Sequence, residues 1–160
     1  MDGIVIAPVT QDTVPLLDAA LRRLATDLGD DYLADQATLS AAICGPASGC
    51  FALLASSDEG TMGVVLVAPV FSTMRGGAGL FVSDLWVAAS ARGKGLARRL
   101  LAATLQEGAR RHSARFLKLT VYHDNPGARA SYDRLGFAAS PDETNMFLTG
   151  AALETLRETL

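Results

Sequence analysis

The sequence predicts a mixed α/β (α+β) fold in which helices pack on a central sheet. Short runs rich in Val, Ile and Leu alternate with longer segments whose leucines recur every three or four residues. Hydrophobic residues make up 49% of the chain and charged residues 19%, which is a globular balance. With 160 residues, the chain can bury a core and is most simply one domain, residues 1–160.

The first half of the chain predicts a strand, two helices and three further strands. "IVIAPV" predicts the first strand, and residues 13–28 predict an amphipathic helix. "DDYLADQATLSAAIC" predicts a second helix that ends at the turn "GPASG". Strands follow in "CFALLAS", "TMGVVLVAPVF" and "LFVSDLWV", and they are joined by turns at "SDEG" and "STMRGGAG".

The second half predicts three helices and two strands. A helix from about Gly95 to Arg111 is followed by a strand in "RFLKLTVY" and a helix in "DNPGARASYDRLGF", closed by Gly136. "NMFLTG" and "AALETLRETL" predict a last strand and helix. The predicted buried side of the Gly95 helix carries Leu96, Leu100, Leu101 and Leu105.

Composition argues against several classes of protein. No apolar run approaches the ~18 residues of a membrane span, and "MDGIVIAPVTQD" lacks a secretory pattern, so we expect a cytoplasmic protein without membrane partners. Cys44 and Cys50 are too few for a disulfide framework, and no cluster of ligand residues predicts a metal. The net charge of −3 predicts no general attraction to nucleic acid.

The segment "ARGKGLARRLL", residues 91–101, places two glycines and several cations where a helix begins. Glycines let backbone N–H groups point to one side, and a helix N-terminus adds unpaired N–H groups that bind phosphate. A solvated basic turn is the alternative interpretation. The P-loop pattern fails because Gly95 follows Gly93-Lys94 where a hydroxyl residue is needed, and the dinucleotide pattern fails because Arg98 replaces its third glycine.

Two motifs resemble the acyl-CoA segments of the GNAT superfamily of N-acetyltransferases. "RGKGLA" (residues 92–97) has the Arg-x-x-Gly-x-Ala pattern after a strand ending in "LWV", and "NPGARASY" (residues 125–132) has the Asn-x-x-Ala-x-x-x-Tyr spacing. "GLFVSDLWV" and the ending "NMFLTGAALETL" are similar to the spermidine/spermine and thialysine N-acetyltransferases. The resemblance implies a mostly antiparallel mixed sheet of about six to seven strands, splayed in the middle, with four to five helices.

The resemblance also implies acetyl-CoA as co-substrate and assigns residues to it. The backbone of Leu85, Trp86 and Val87 is expected to pair with the pantetheine arm beside a bulge or splay in the sheet. The residues expected to hold the pyrophosphate are Arg92, Gly93, Lys94, Gly95, Leu96, Ala97 and Arg98. Those expected to line the cofactor from the second motif are Asn125, Pro126, Gly127 and Ala128, with Asn125 bonded to the pantetheine arm.

The implied reaction is acetyl transfer to a primary amine by direct attack in a ternary complex. An amine with a pKa of about 10.4 must lose a proton before it attacks, and the oxyanion needs a donor, for which a bulge near Leu85 could free an N–H. Tyr132 is expected to face the thioester sulfur and act as general acid. Simple packing of Tyr132 on the sheet is the alternative interpretation.

The base and the acceptor are less clearly marked. Asp84 matches an acidic position of the subgroup and is predicted to bind the ammonium or relay its proton, whereas Ser83 replaces the subgroup's usual glutamate. Either His123 or Asp124 is an alternative base. Asp30 and Asp31 in "DLGDDYLAD" are predicted substrate contacts beside Ser83, Asp84 and His123, unless the acidic cluster is only a solvated surface.

The resemblance favours a small amine as acceptor, either a diamine, a polyamine or an amino-acid-like amine, and a homodimer as the assembly. A protein or peptide N-acetyltransferase and a non-catalytic acyl-CoA-binding module are the alternative functions.

Overall fold

The computed structural model describes residues 3–159, which form two compact units, residues 3–122 and 123–159. The first unit contains all five strands and three of the five α-helices, and the second contains the other two helices. The strands are β1 (Val5–Pro8), β2 (Phe51–Ser57), β3 (Gly60–Ser72), β4 (Gly77–Val87) and β5 (Leu117–Leu119). The helices are α1 (Val14–Leu28), α2 (Gln36–Cys44), α3 (Leu96–His112), α4 (Pro126–Arg134) and α5 (Gly150–Arg157).

The five strands form one sheet in the order β1-β2-β3-β4-β5. All neighbours are antiparallel except β4 and β5, which are parallel, so the predicted mixed and mostly antiparallel sheet is confirmed. The prediction of six to seven strands is wrong for residues 3–159. "NMFLTG" forms no strand, and the side chains of Met146 and Phe147 are almost fully exposed. Its apolar pattern gives extended propensity, but a strand also needs a partner for its backbone groups.

Two apolar layers cover the sheet. On one face, Val14, Leu17 and Leu21 of α1 pack with Val64 and Trp86 in a buried cluster. On the other face lies α3, where a Cβ added at Gly63 of β3 would come within 3.0 Å of Leu100 Cδ1. β4 is therefore held between α1 on one face of the sheet and α3 on the other.

The predicted buried side of α3 is correct for Leu96, Leu100 and Leu101 but wrong for Leu105, which is exposed. The inner positions are taken by Thr104 and Gly108 instead. The Thr104 hydroxyl donates to the Leu100 carbonyl at 2.8 Å, which satisfies a buried polar group. A Cβ added at Gly108 would lie 2.4 Å from Leu80 Cδ1, so only glycine lets α3 approach β4 this closely.

Candidate active site

The centre of β4 carries a β-bulge. The residue pairs with β3 change from Val67–Val82 to Leu66–Asp84. Ser83 is therefore an extra residue that no residue of β3 faces in the register. The Ser83 hydroxyl donates to the Leu66 carbonyl at 3.1 Å, which fastens the bulge to the neighbouring strand. The bulge expected from the family resemblance is therefore present, two residues before Leu85.

The bulge decides which face of the sheet Asp84 occupies. Leu80 points toward Gly108 of α3, whereas Trp86 packs in the cluster with α1. In a regular strand, residues six apart would share a face, so the extra residue has switched the alternation. Asp84 consequently lies on the Trp86 side, toward α1, and the chain after the bulge presents the opposite set of side chains to each layer.

Beyond the bulge, β4 loses its second neighbour. Its parallel pairs with β5 are Leu80–Leu117, Phe81–Lys118 and Val82–Leu119, and within the described chain no later residue of β4 takes part. The Ala88 N–H donates to the Met62 carbonyl at 2.9 Å. By antiparallel alternation, the backbone groups of Trp86 then point toward β3, and those of Leu85 and Val87 point away from it. Leu85 and Val87 thus form an open edge to which an extended arm can add.

The loop after β4 has the geometry of an anion site. Gly93 and Gly95 have φ values of 72° and 79°, and a Cβ added at either would meet nothing within 4 Å. Gly95 is the N-cap of α3, and no side chain of residues 3–159 caps that end. The first N–H groups of α3 are therefore available, with Lys94 and Arg98 exposed beside them. These groups could bind an anion such as a phosphate.

Arg92 differs from the other cations of the loop. Its Nε donates to the Val87 carbonyl at 2.9 Å, and its Nη2 pairs with Asp27 Oδ2 at 2.5 Å. The guanidinium is therefore bonded to two groups of the protein itself. Asp27, which the sequence offered only as one member of an acidic cluster, accepts from Arg92 at the end of α1.

A second polar group lies on the α1 side of the sheet, near Asp84. The Tyr32 hydroxyl donates to Asp18 Oδ1 at 2.8 Å, and Arg22 pairs with Asp18 at 2.9 Å while its guanidinium lies 4.4 Å from the centre of the Tyr32 ring. Asp18 is 8% exposed. The sequence contained one signal for this group, because Asp18 stands among Val14, Leu17 and Leu21 on the apolar side of α1.

Burial changes the acidity of two groups in this region. Burial raises the pKa of Asp84, and the polar side chain of the neighbouring Ser83 partly opposes the rise. The pKa of Tyr32 is raised to about 12, first by burial and then by its bond to Asp18, with a further contribution from the charge of Asp84. Asp84 is therefore close enough to Tyr32 for its charge to affect the hydroxyl.

The predicted acceptor residues Asp30 and Asp31 differ in their surroundings. Asp30 Oδ2 accepts from the Tyr122 hydroxyl at 2.9 Å, so this carboxylate fastens the segment after α1. Asp31 is exposed. Asp30 thus has a structural partner, whereas Asp31 lies at the surface beside Tyr32.

The second unit carries the other motif. Asn125 is the N-cap of α4, and its Oδ1 accepts from the Ala128 N–H at 3.0 Å, leaving the side-chain amide N–H groups as donors. The Tyr132 ring contacts Phe137 edge to face, with centroids 5.5 Å apart, and burial raises the pKa of its hydroxyl. Pro126, Gly127, His123 and Asp124 are exposed.

Among residues 3–159, no three His, Cys, Asp or Glu side chains are grouped so that they could hold a metal ion. None of the helices in this range is long and apolar enough to cross a bilayer.

The fold and the bulged strand with its glycine loop define an acyl-CoA-type transferase domain. The model of the Acetyltransferase (GNAT) family matches residues 16–137. The chain therefore belongs to the GNAT acetyltransferase family, whose members use acetyl-CoA. This match includes both motifs identified in the sequence.

Individual relatives agree with this family. The chain is 38% identical over 68 residues to N-alpha-acetyltransferase 40 of Saccharomyces cerevisiae, a match covering 39% of this chain and 24% of that protein. The chain thus spans about a quarter of the length of this curated relative. An integron cassette protein from the mobile metagenome of V. cholerae has a TM-score of 0.78 at 20% identity, with 99% of each chain covered. An aminoglycoside N-acetyltransferase in complex with CoA has a TM-score of 0.73 at 17% identity, with 92% of this chain and 95% of that one covered.

Proposed function

We propose that the protein is an acetyl-CoA-dependent N-acetyltransferase that acts on a primary amine of a small molecule. The observation that carries this proposal is the continuous segment from the Ser83 bulge to the glycine N-cap of α3. It combines an open strand edge with a free helix N-terminus, as a cofactor with an extended arm and a pyrophosphate requires. The proposal takes residues 1–160 as one acyltransferase domain, since the family match crosses from the first unit into the second.

The backbone of this segment would hold the cofactor. The Leu85 carbonyl and the Val87 N–H would bind the pantetheine arm, and the N–H groups of residues 93–98 would bind the pyrophosphate. From the second motif, the Asn125 amide would donate to the arm. Bound acetyl-CoA supplies the acetyl thioester, which is the activated carbonyl of the reaction.

Asp84, Leu85 and Tyr132 would divide the proton and charge transfers among them. Asp84 accepts the proton of the acceptor ammonium, directly or through water, and its raised pKa makes it a better base than an ordinary carboxylate. The Leu85 N–H donates to the carbonyl oxygen as the new N–C bond forms. Tyr132 donates its proton to the sulfur as the C–S bond breaks, and its oxygen then takes up the second proton that the acceptor nitrogen loses, directly or through water. Its raised pKa keeps the hydroxyl protonated at neutral pH.

A small cationic amine is the acceptor that the charges favour. Asp84 and Asp31 are carboxylates near Tyr32, whose ring adds an apolar surface. A diamine, a polyamine or an amino-acid-like amine, as in the spermidine/spermine and thialysine subgroup, would use both kinds of contact. The aminoglycoside acetyltransferase of similar fold is named for another small polyamine-like acceptor. A homodimer, which the subgroup resemblance favours, and a cytoplasmic location are also part of this proposal.

The test is a panel of diamines, polyamines, amino acids, aminoglycosides and peptides, with release of the CoA thiol as the signal. We expect a small amine to turn over, and Tyr132→Phe to lower kcat about a hundredfold because general acid catalysis is lost. CoA affinity, measured by calorimetry, should change little in this variant. Unchanged kcat would show that Tyr132 only packs, and CoA binding without any turnover would identify a non-catalytic binding module.

Protein N-terminal acetylation is the second candidate function. It is favoured by one observation, the 38% identity over 68 residues with N-alpha-acetyltransferase 40. The same panel separates the two candidates. Turnover of a peptide with a free N-terminus, together with inactivity of all the small amines, would replace the first proposal with this one.

A further inference from the structure

Asp27 joins three elements beside the open edge of β4. Its Oδ2 accepts from Arg92 Nη2 at 2.5 Å and from Trp86 Nε1 at 3.1 Å. Arg92 in turn donates from Nε to the Val87 carbonyl at 2.9 Å. The network therefore connects the last turn of α1, the end of β4 and the start of the glycine loop, across 65 residues of sequence.

This network limits which backbone groups at the edge of β4 can bind an extended arm. The backbone N–H and carbonyl groups of Leu85 and Val87 point away from β3, but the Val87 carbonyl is already bonded to Arg92. The Leu85 carbonyl and the Val87 N–H are left to pair with an extended arm, and the Leu85 N–H is left for the oxyanion. An extended arm that pairs along β4 must then leave the strand at Val87 and turn toward the loop, because Arg92 already occupies the Val87 carbonyl.

The network also changes the role expected of Arg92. An unpaired arginine beside an anion site would attract the pyrophosphate directly. Here the guanidinium is paired with a carboxylate, so the two charges largely cancel, and its Nε is bonded to the strand. Lys94 and Arg98 are the exposed cations that flank the two glycines.

We propose that Asp27 is a positioning residue that holds Arg92 on the end of β4, and that this Arg92 clamp sets the position of the pyrophosphate loop. In this arrangement Arg92 does not bind the pyrophosphate, which is held by the backbone of residues 93–98. The inference rests on the proposed function, because it takes the cofactor to lie along β4 and the loop.

The direction in which Asp27→Asn changes CoA affinity distinguishes an Arg92 that positions the loop from an Arg92 that binds the pyrophosphate directly. Replacing Asp27 by Asn removes a negative charge near a bound anion, so electrostatics alone would strengthen CoA binding. A clamp predicts the opposite, because Arg92 loses its fixed position. Since the side chains of Arg92 and Asp27 are 53% and 44% exposed, we expect a modest effect, a loss of about three- to tenfold in CoA affinity.

The experiment titrates CoA into the wild type, Asp27→Asn, Arg92→Met and the double variant by calorimetry. If the two residues act as one unit, the double variant should bind no more weakly than either single variant. Asp58→Asn, an exposed carboxylate in the turn after β2, is the matched control and should bind CoA as the wild type does. Trp86 is the one tryptophan of the chain, so its fluorescence reports on the same network without ligand. We expect its emission to shift in Asp27→Asn and in Arg92→Met.

Tighter or unchanged CoA binding in Asp27→Asn would overturn the clamp, as would additive losses in the double variant. If the wild type itself does not bind CoA, the proposed function fails, and the clamp is then decided by fluorescence. In that case a shift of Trp86 emission in Arg92→Met supports the network, and an unchanged spectrum overturns it.

Discussion

The proposed pyrophosphate loop (residues 92–98) and the proposed acceptor segment (residues 29–35) are held in place by different kinds of group. The loop depends on backbone, with two glycines at positive φ and a helix end that no side chain within residues 3–159 caps. The acceptor segment is held by side chains, through Tyr32 to Asp18 and Asp30 to Tyr122. Backbone N–H groups are the same for most residue types, so a backbone site tolerates sequence change. A side-chain site changes its ligand with each substitution, which suits the part of an enzyme that selects among amines.

The largest expected effect is at Asp84, the proposed base. Asp84→Asn should lower kcat about a hundredfold because the base is lost, while CoA affinity stays near the wild-type value. Steady-state kinetics and calorimetry check the two quantities separately. Equal losses in both would show that Asp84 supports the cofactor side rather than the acceptor side.

The same variant should be more stable at neutral pH. Burial raises the pKa of Asp84, so folding favours the protonated carboxyl. The stability that this preference contributes is fully present below the pKa of the unfolded state and is lost as pH rises through the pKa of the folded state. At pH 7 the buried, charged carboxylate therefore destabilises the fold. Thermal melts from pH 4 to 8 should therefore show a higher Tm at pH 7 for Asp84→Asn than for the wild type, with no such gain in Asp58→Asn. A lower Tm at pH 7 would contradict this.

The next largest effect is expected in the loop. Gly95→Ala places a Cβ at a residue with φ of 79°, which costs about 1–2 kcal/mol of backbone strain, and it disturbs the N–H groups that face the anion. We expect CoA affinity to fall about tenfold, with the KM for the acceptor almost unchanged. Gly60→Ala, at the first residue of β3 with φ of 106°, is the strain control. Equal CoA affinity in the two variants would remove the loop from the cofactor site.

The smallest effect is expected in the acceptor segment. Tyr32→Phe removes the hydroxyl that donates to buried Asp18 and should cost about 1 kcal/mol of unfolding free energy. We expect the acceptor KM to rise about threefold and the CoA Kd to stay the same. Denaturant unfolding and kinetics measure these effects, and Tyr122→Phe, at an exposed bond, should lose less stability. A changed CoA Kd in Tyr32→Phe would erase the distinction between the two regions.

The pH dependence of stability gives a second test of the hydrogen bond from Tyr32 to Asp18. Its folded pKa of about 12 lies above the ordinary value of 10. The stability from this group is therefore full below pH 10 and is lost as pH rises toward 12. Tyr32→Phe should accordingly lower stability by the same amount at every pH between 6 and 9.

Sequence patterns predicted most of the secondary structure, because the spacing of apolar residues is a local property. Helices α1 and α3 begin and end within about two residues of their predicted bounds. The failures occurred where a partner decided the outcome. "NMFLTG" has apolar residues but no pairing strand in the described chain. On α3, Thr104 and Gly108 are buried in place of Leu105, and Gly108 lies close against Leu80 of β4.

For the site, the sequence by itself determined the glycine loop at a helix N-terminus, since Gly93, Gly95 and the leucines of α3 are contiguous and require no distant residue. Only the tertiary structure decided that Ser83 bulges, because a bulge exists only in the register of β4 against β3. It likewise joined Asp27 to Arg92 and Asp18 to Tyr32. These bonds connect residues far apart in the chain, and side chains meet at such distances only after the core has fixed the helices on the sheet.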